Sequence, residues 1–293
     1  MDKDGPMIHE AAGAGGGGGT REPAVAGTFY PGDPGLLRSE VEGCLEWRPP
    51  GMEAGPRVPA TAAALIVPHA GYVYSGRVAG ATYASAELSA TLVILCPNHT
   101  GMGEPIAVMS RGAWRTPLGP ARIDEALADR ILERCPLAAE DDRAHLREHS
   151  LEVQIPFLQV KLDEFSFVPI CVGTGKLDAL TRLGRDLAEV IREWDVPVGI
   201  VISSDMSHYI PAREARDKDM AAVDRVLALD PEGLHRVVHE RDITMCGVSP
   251  AVAGLTAAKA NGASSARLVA YANSGDASGD YDRVVGYAGL LIS

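Results

Sequence analysis

Two histidines occupy nearly identical settings. ALIVPHAGY closes an apolar run with Pro68 and His69, and TLVILCPNHTG closes another with Pro97, Asn98 and His99. A third run, VGIVISSDMSHY, ends in Ser203, Ser204, Asp205 and then His208. Imidazole nitrogen binds transition ions and carries protons near neutral pH. A lone histidine past a strand is ordinarily a hydrogen-bonded structural residue, but three such endings in one chain describe a cluster of imidazoles with a carboxylate beside it.

Cys246 lies in ITMCGVSPAVAG, before a helix expected to be capped by Ser249 with Pro250 at its first position. The unpaired N–H groups and dipole of a helix start favour thiolate, the form that attacks or binds metal. The same thiol also reads as a small side chain buried under a tight turn, and the local residues leave both readings open. In REHSLEVQIPFL, His149 is expected to face the crevice, Glu152 either braces a loop or touches a ligand, and Pro156 distorts or delays the helix. The other histidines carry less. His9 sits in the tail, His145 lies in a charged segment, and His235 and His239, one turn apart in HRVVHERD, read as a solvated helix face. Cys96 and Cys171 fall within strand patterns and are expected in the core, while Cys44 and Cys135 are incidental.

A frame is needed to bring these groups together. Short runs rich in Val, Ile and Leu at 63–67, 92–95, 167–172, 198–202 and 284–290 predict strands buried on both faces. Apolar residues recurring at three and four predict helices over 36–46, 77–88, 124–133, 177–193, 213–229 and 249–261. The alternation predicts an α/β fold, a three-layer α/β/α sandwich with a mixed central sheet, since the crowded stretch from Thr91 to Leu118 can supply antiparallel pieces. In such sheets ligands bind beyond the carboxyl ends of the strands, where the histidines stand. The thirty residues from His69 to His99 match about one strand-helix-strand unit.

The whole chain of 293 residues, 46% hydrophobic and 23% charged, can bury one large core. Residues 1–20, with five consecutive glycines from Gly15 to Gly19, are expected as a disordered tail before a single domain over 21–293. A formal net charge of -12 argues against nucleic acid or an anionic membrane as partner and for small molecules or proteins. Five scattered cysteines with no C-x-x-C pair, no apolar run of roughly 20 residues and no secretory leader predict a cytoplasmic protein. No fixed-period repeat is present.

In order along the chain, PAVAGTFYPGDP, VPHAGYVYSG, CPNHTG, EHSLEVQIPFL, SSDMSHY and CGVSP resemble the Memo family, named for a mediator of receptor-driven cell motility, whose prokaryotic members are called AmmeMemoRadiSam system protein B. The resemblance runs from Pro23 to Pro250. It implies a fold similar to LigB-type class III extradiol dioxygenases, in which two histidines and a glutamate hold ferrous iron and a further histidine is the acid-base. By motif, His69 and His99 match the imidazole ligands, His208 the acid-base, and Cys246 stands where those enzymes have their carboxylate. The expected metal is Fe(II), with Cu or Zn as alternatives, since thiolate is a softer ligand than carboxylate. Asp205 or His149 is expected to orient His208. Three functions remain open: a mononuclear iron or copper redox protein with a dioxygenase-like cleft, a non-catalytic protein recognising a peptide, small ligand or metal, and a zinc hydrolase. The family's names imply an AMMECR-type protein and a radical SAM enzyme as partners.

Overall fold

The computed structural model describes residues 19–49 and 59–293. The glycine-rich stretch expected as a tail lies, through residue 18, outside the described residues, and the described chain opens on a short strand, Thr20–Arg21.

A mixed twelve-stranded sheet forms the middle layer. Its central strands, in spatial order Gly119–Ile123, Ser166–Val172, Thr91–Pro97, Val198–Ser203 and Ala64–Val67, run parallel. Val284–Ile292 then joins antiparallel to Ala64–Val67, and Ala266–Asn273 is antiparallel to it in turn. The antiparallel pieces expected after Thr91 are present: Ile106–Val108 pairs against Ser166–Val172, and Ala113–Thr116 pairs against Gly119–Ile123. Every residue of Ala64–Val67 and Thr91–Pro97 is buried. That is why these strands are uninterrupted apolar runs rather than alternating ones.

Register fixes where the strands end. Ile202 pairs with Leu95 on one side and Ile66 on the other. His69 and Asp205 each stand three residues past that line and His99 stands four past it, so one crevice collects all three.

Helices cover both faces. Leu177–Glu193 is amphipathic, burying Leu180, Leu183, Leu187 and Val190 at helical spacing. Val248–Ala260 is instead built of small residues and buried nearly all round. Close approach demands this: a β-carbon on Gly184 would lie 2.5 Å from the Ala253 carbonyl, and one on Gly254 would lie 2.5 Å from Ile202 Cδ1. At its start, a β-carbon on Gly247 would meet Ser203 O at 2.4 Å, and Gly247 N–H donates to Ser204 Oγ at 3.1 Å. Packing on the end of the Val198–Ser203 strand therefore starts the helix at Val248 with Gly247 as cap, ahead of the expected Ser249. It also delivers Cys246 to the crevice. The helix expected over 77–88 begins earlier, at Tyr72, and ends at Ala84, because Ala86–Glu87 pairs as a strand with Ala60–Thr61.

Near Pro156 the chain forms two short helices, His149–Glu152 and Ile155–Lys161. Pro156 sits in the first turn of the second, where its missing N–H costs nothing.

Candidate metal centre

His69 is buried. Its Nδ1 lies 2.8 Å from Ser203 Oγ. That hydroxyl spends its proton on Ser150 O at 2.6 Å and accepts from Gln154 Nε2 at 3.1 Å. It must therefore accept from His69, which places the imidazole proton on Nδ1 and leaves Nε2 as a bare lone pair facing the crevice. Burial, reinforced by His99 and His149 nearby, holds the His69 pKa well below its ordinary value. The ring is thus kept neutral, the form that binds metal.

His99 is held in the same tautomer by a different partner. Its Nδ1 donates to Glu148 Oε1 at 2.8 Å and its backbone N–H to Oε2 at 2.7 Å. Ser150 adds two donations to Oε1, from N at 3.0 Å and Oγ at 2.6 Å. Burial alone would raise the Glu148 pKa, but the bonds from His99 and Ser150 outweigh it and bring it down to about 2. Burial likewise opposes charge on His99, and the bond and charge of Glu148 win, raising its pKa. His149, from the helix Glu148 caps, stacks on His99 with ring centroids 4.7 Å apart and an interplanar angle of 26°. Ligand atoms of His69, His99 and His149 all lie within 4.8 Å of one another.

Cys246 Sγ stands 3.2 Å from His69 Nε2 and accepts the Asp205 N–H at 3.3 Å. The expected thiolate is not what the protein surroundings favour. Burial, then the charge of Asp205, push the Cys246 thiol far up, outweighing the hydrogen bonds from the Asp205 backbone and Ser204. A metal ion would reverse this, since a coordinating thiol is deprotonated outright. Asp205 Oδ1 accepts the His69 backbone N–H at 2.7 Å, and burial raises its carboxyl to about 7.

His208 lines the same cleft, but neither Asp205 nor His149 orients it. Its Nδ1 donates to Thr244 O at 2.9 Å and its backbone N–H to Thr244 Oγ1 at 2.7 Å, leaving Nε2 without a partner among the described residues. Glu152 does not touch the cleft. It is fully buried and accepts from the Arg21 guanidinium, Ala24 N, Val25 N and Tyr30 Oη, fastening the N-terminal segment so that Phe29 packs on His149 at 5.0 Å between centroids. His235 Nε2 and His239 Nδ1 are both engaged by backbone carbonyls, of Gly175 and His235. Cys96 and Cys171 are core residues as expected, and Cys44 and Cys135 are buried too.

The cleft holds about 740 Å³. Phe29, Val73, Tyr74, Tyr209, Val285 and Tyr287 give it apolar and aromatic walls, and Arg283 stands among them. Sequence reasoning missed Glu148, although an acid directly before a crevice histidine was a usable sign. Arg283 and Tyr287 carried no local sign at all, because only the pairing of Val284–Ile292 with Ala64–Val67 brings them there.

A parallel-centred α/β sandwich with an imidazole cluster lining a cleft beyond its strand ends defines a class of proteins whose cleft could hold a metal. The chain belongs to the Memo family: the model of the Memo-like protein family matches residues 21–291. It is 43% identical over 278 residues to a MEMO1 family protein of Methanopyrus kandleri, covering 93% of this chain and 98% of that one. It is 47% identical over 273 residues to a MEMO1 family protein of Aquifex aeolicus, again covering 93% and 98%. In fold it is similar to an uncharacterized protein of Escherichia coli K12 solved by crystallography, with a TM-score of 0.54, 15% identity, and coverage of 78% of this chain and 98% of that one. Among the described residues no helix is long and apolar enough to cross a membrane.

Proposed function

We propose that this chain is a mononuclear metal protein with a redox role, taking Fe(II) on His69 Nε2, His99 Nε2 and Cys246 Sγ in a dioxygenase-like cleft. The observation that carries the reading is the pair of imidazoles whose Nδ1 protons are committed to Ser203 and Glu148, which leaves both Nε2 lone pairs for a ligand, with the ligand atoms of the two rings within 4.8 Å of each other. The 3.2 Å between Cys246 Sγ and His69 Nε2 suits two neighbouring ligands of one ion, whose bonds run about 2.0 to 2.3 Å. Copper is the alternative metal, since a thiolate with two imidazoles suits both.

When bound, such an ion supplies a site for electron transfer to or from oxygen or an organic ligand. The protein's part is to hold His69 neutral, to fix the His99 ring through Glu148, to keep the Asp205 carboxyl against the His69 backbone, and to line the cleft with aromatic side chains. His208 Nε2, its ring fixed through Thr244, is placed to pass a proton to or from whatever occupies the cleft.

A second reading replaces Cys246 with His149, because those three imidazoles already converge. Three histidines and a water suit zinc hydrolysis. Metal analysis of protein purified without oxygen, followed by oxygen uptake with catecholic or other reducing substrates, tests the first reading. Iron that is lost in both His69→Ala and His99→Ala, with turnover in the parent, supports it; iron without turnover supports a binding protein, and stoichiometric zinc supports the second reading. Substitution with Co(II) decides the third ligand: a sulfur-to-metal charge-transfer band that survives Cys246→Ser would exclude Cys246.

A further inference from the structure

The cleft has a second polar end that the metal cluster does not use. Among the described residues Arg283 is its sole lysine or arginine. Several arginines of this acidic chain are paired, as Arg111 is with Asp129 and Arg130 with Glu133 and Glu193. Among the described residues Arg283 forms no ion pair, and its guanidinium lies over the Tyr209 ring, 5.8 Å from the centroid. Tyr209 is itself held unusually, at a positive φ of 59° where the His208–Ile210 strand bulges against Val284–Val285. A non-glycine residue in that conformation is strained, and such strain persists where surrounding structure imposes it.

Two hydroxyls join the arginine. Ser274 Oγ accepts the Val285 N–H at 3.0 Å, and Ser278 Oγ accepts the Asp280 N–H at 3.1 Å. Both residues line the cleft and neither hydroxyl has an acceptor for its own proton among the described residues. The acids of the same segment do not line the cleft; Asp276 accepts from Asn273 N and Tyr281 Oη, and Asp280 from Asp282 N. At this solvent-reached rim the lining offers one planar guanidinium and two O–H donors, and aromatic side chains and the imidazoles line the rest of the same cleft.

We infer that Arg283, Ser274 and Ser278 form an anion subsite that anchors the carboxylate of a flat, largely apolar organic acid, with its body along Tyr74 and Phe29 and its far end at the histidine cluster. One guanidinium without a surrounding nest of backbone N–H groups matches a planar monoanion in bidentate fashion better than a phosphate dianion. This names the ligand class of the site proposed above and rests on that reading for what happens at the far end, but the anchoring itself needs no metal.

The test therefore uses metal-free full-length protein and the probe pair 3-phenylpropanoate and 3-phenylpropanamide, followed by calorimetry or ligand-observed NMR. The acid is expected to bind about tenfold or more tightly than the amide, the scale of one charge-assisted pair. Arg283→Gln is expected to erase that preference while Arg225→Gln, on a remote helix, keeps it. Equal binding of acid and amide by the parent, or a preference that survives Arg283→Gln, would overturn the subsite. Tighter binding of phenyl phosphate than of the acid would overturn the carboxylate assignment. Loss of iron binding in the histidine variants belongs to the metal reading and leaves this measurement unaffected.

Discussion

At the scale of single residues, Glu148 matters as much as the rings it serves. It takes four donated hydrogens from His99 and Ser150, so Glu148→Gln must turn an amide NH₂ toward a donor and release the His99 ring from its fixed tautomer. Metal affinity is expected to drop roughly 10- to 100-fold, as for other outer partners of ligating histidines. Chelator competition measures this, and an unchanged affinity would show that His99 is not a ligand. His145 bears on stability instead. It is fully buried, with Nε2 on Ala107 O at 3.2 Å, and burial pulls its pKa down to about 4. Because the unfolded chain protonates this ring near 6.5 and the folded one only near 4, the folded state loses stability as pH falls through that window, by roughly 3 kcal/mol in all. Urea melts from pH 7 to 4 should show that slope, and His145→Asn should flatten it; an equal slope in the variant would assign the effect elsewhere. His69 and His99 were legible in the sequence because each stands directly after an unbroken apolar strand, whose end marks the rim of the sheet. The burial of Glu148 was not, since packing from elsewhere decides it.

Among elements, four of the five central parallel strands were legible to within a residue or two, since being covered on both faces leaves a signature of unbroken Val, Ile and Leu; Gly119–Ile123, which alternates in burial, carried no such signature. Leu177–Glu193 has its expected bounds because one face meets water and the period shows. Tyr72–Ala84 and Val248–Ala260 started elsewhere than expected: they are buried nearly all round by small residues, so periodicity is faint and their ends are set by contacts with Phe29 and Ser203. Ala266–Asn273 left little trace, being only partly buried beside Val284–Ile292. The N-terminal segment is held chiefly by Glu152, whose charge balances the buried Arg21. Glu152→Gln leaves that guanidinium uncompensated and should cost about 3–5 kcal/mol, read by chemical denaturation. A loss well under 1 kcal/mol would mean the segment is secured by its apolar contacts alone.

For the molecule as a whole, the proposed metal is expected to bind after folding, because the cluster is fixed by register and hydrogen bonds that need no ion. Free Fe(II) at a hundred times its dissociation constant should then add about 2.7 kcal/mol and raise the melting temperature by several degrees, with no response in His69→Ala. Anaerobic calorimetry with and without Fe(II) checks this, and an unresponsive parent chain would count against a preformed site. The same register sets an order of events during synthesis. Ala64–Val67 emerges early, yet its outer neighbour, Val284–Ile292, is translated more than two hundred residues later. Until then the nascent chain presents a bare, fully apolar strand margin, the kind of surface that chaperones shield and that promotes aggregation when translation stalls.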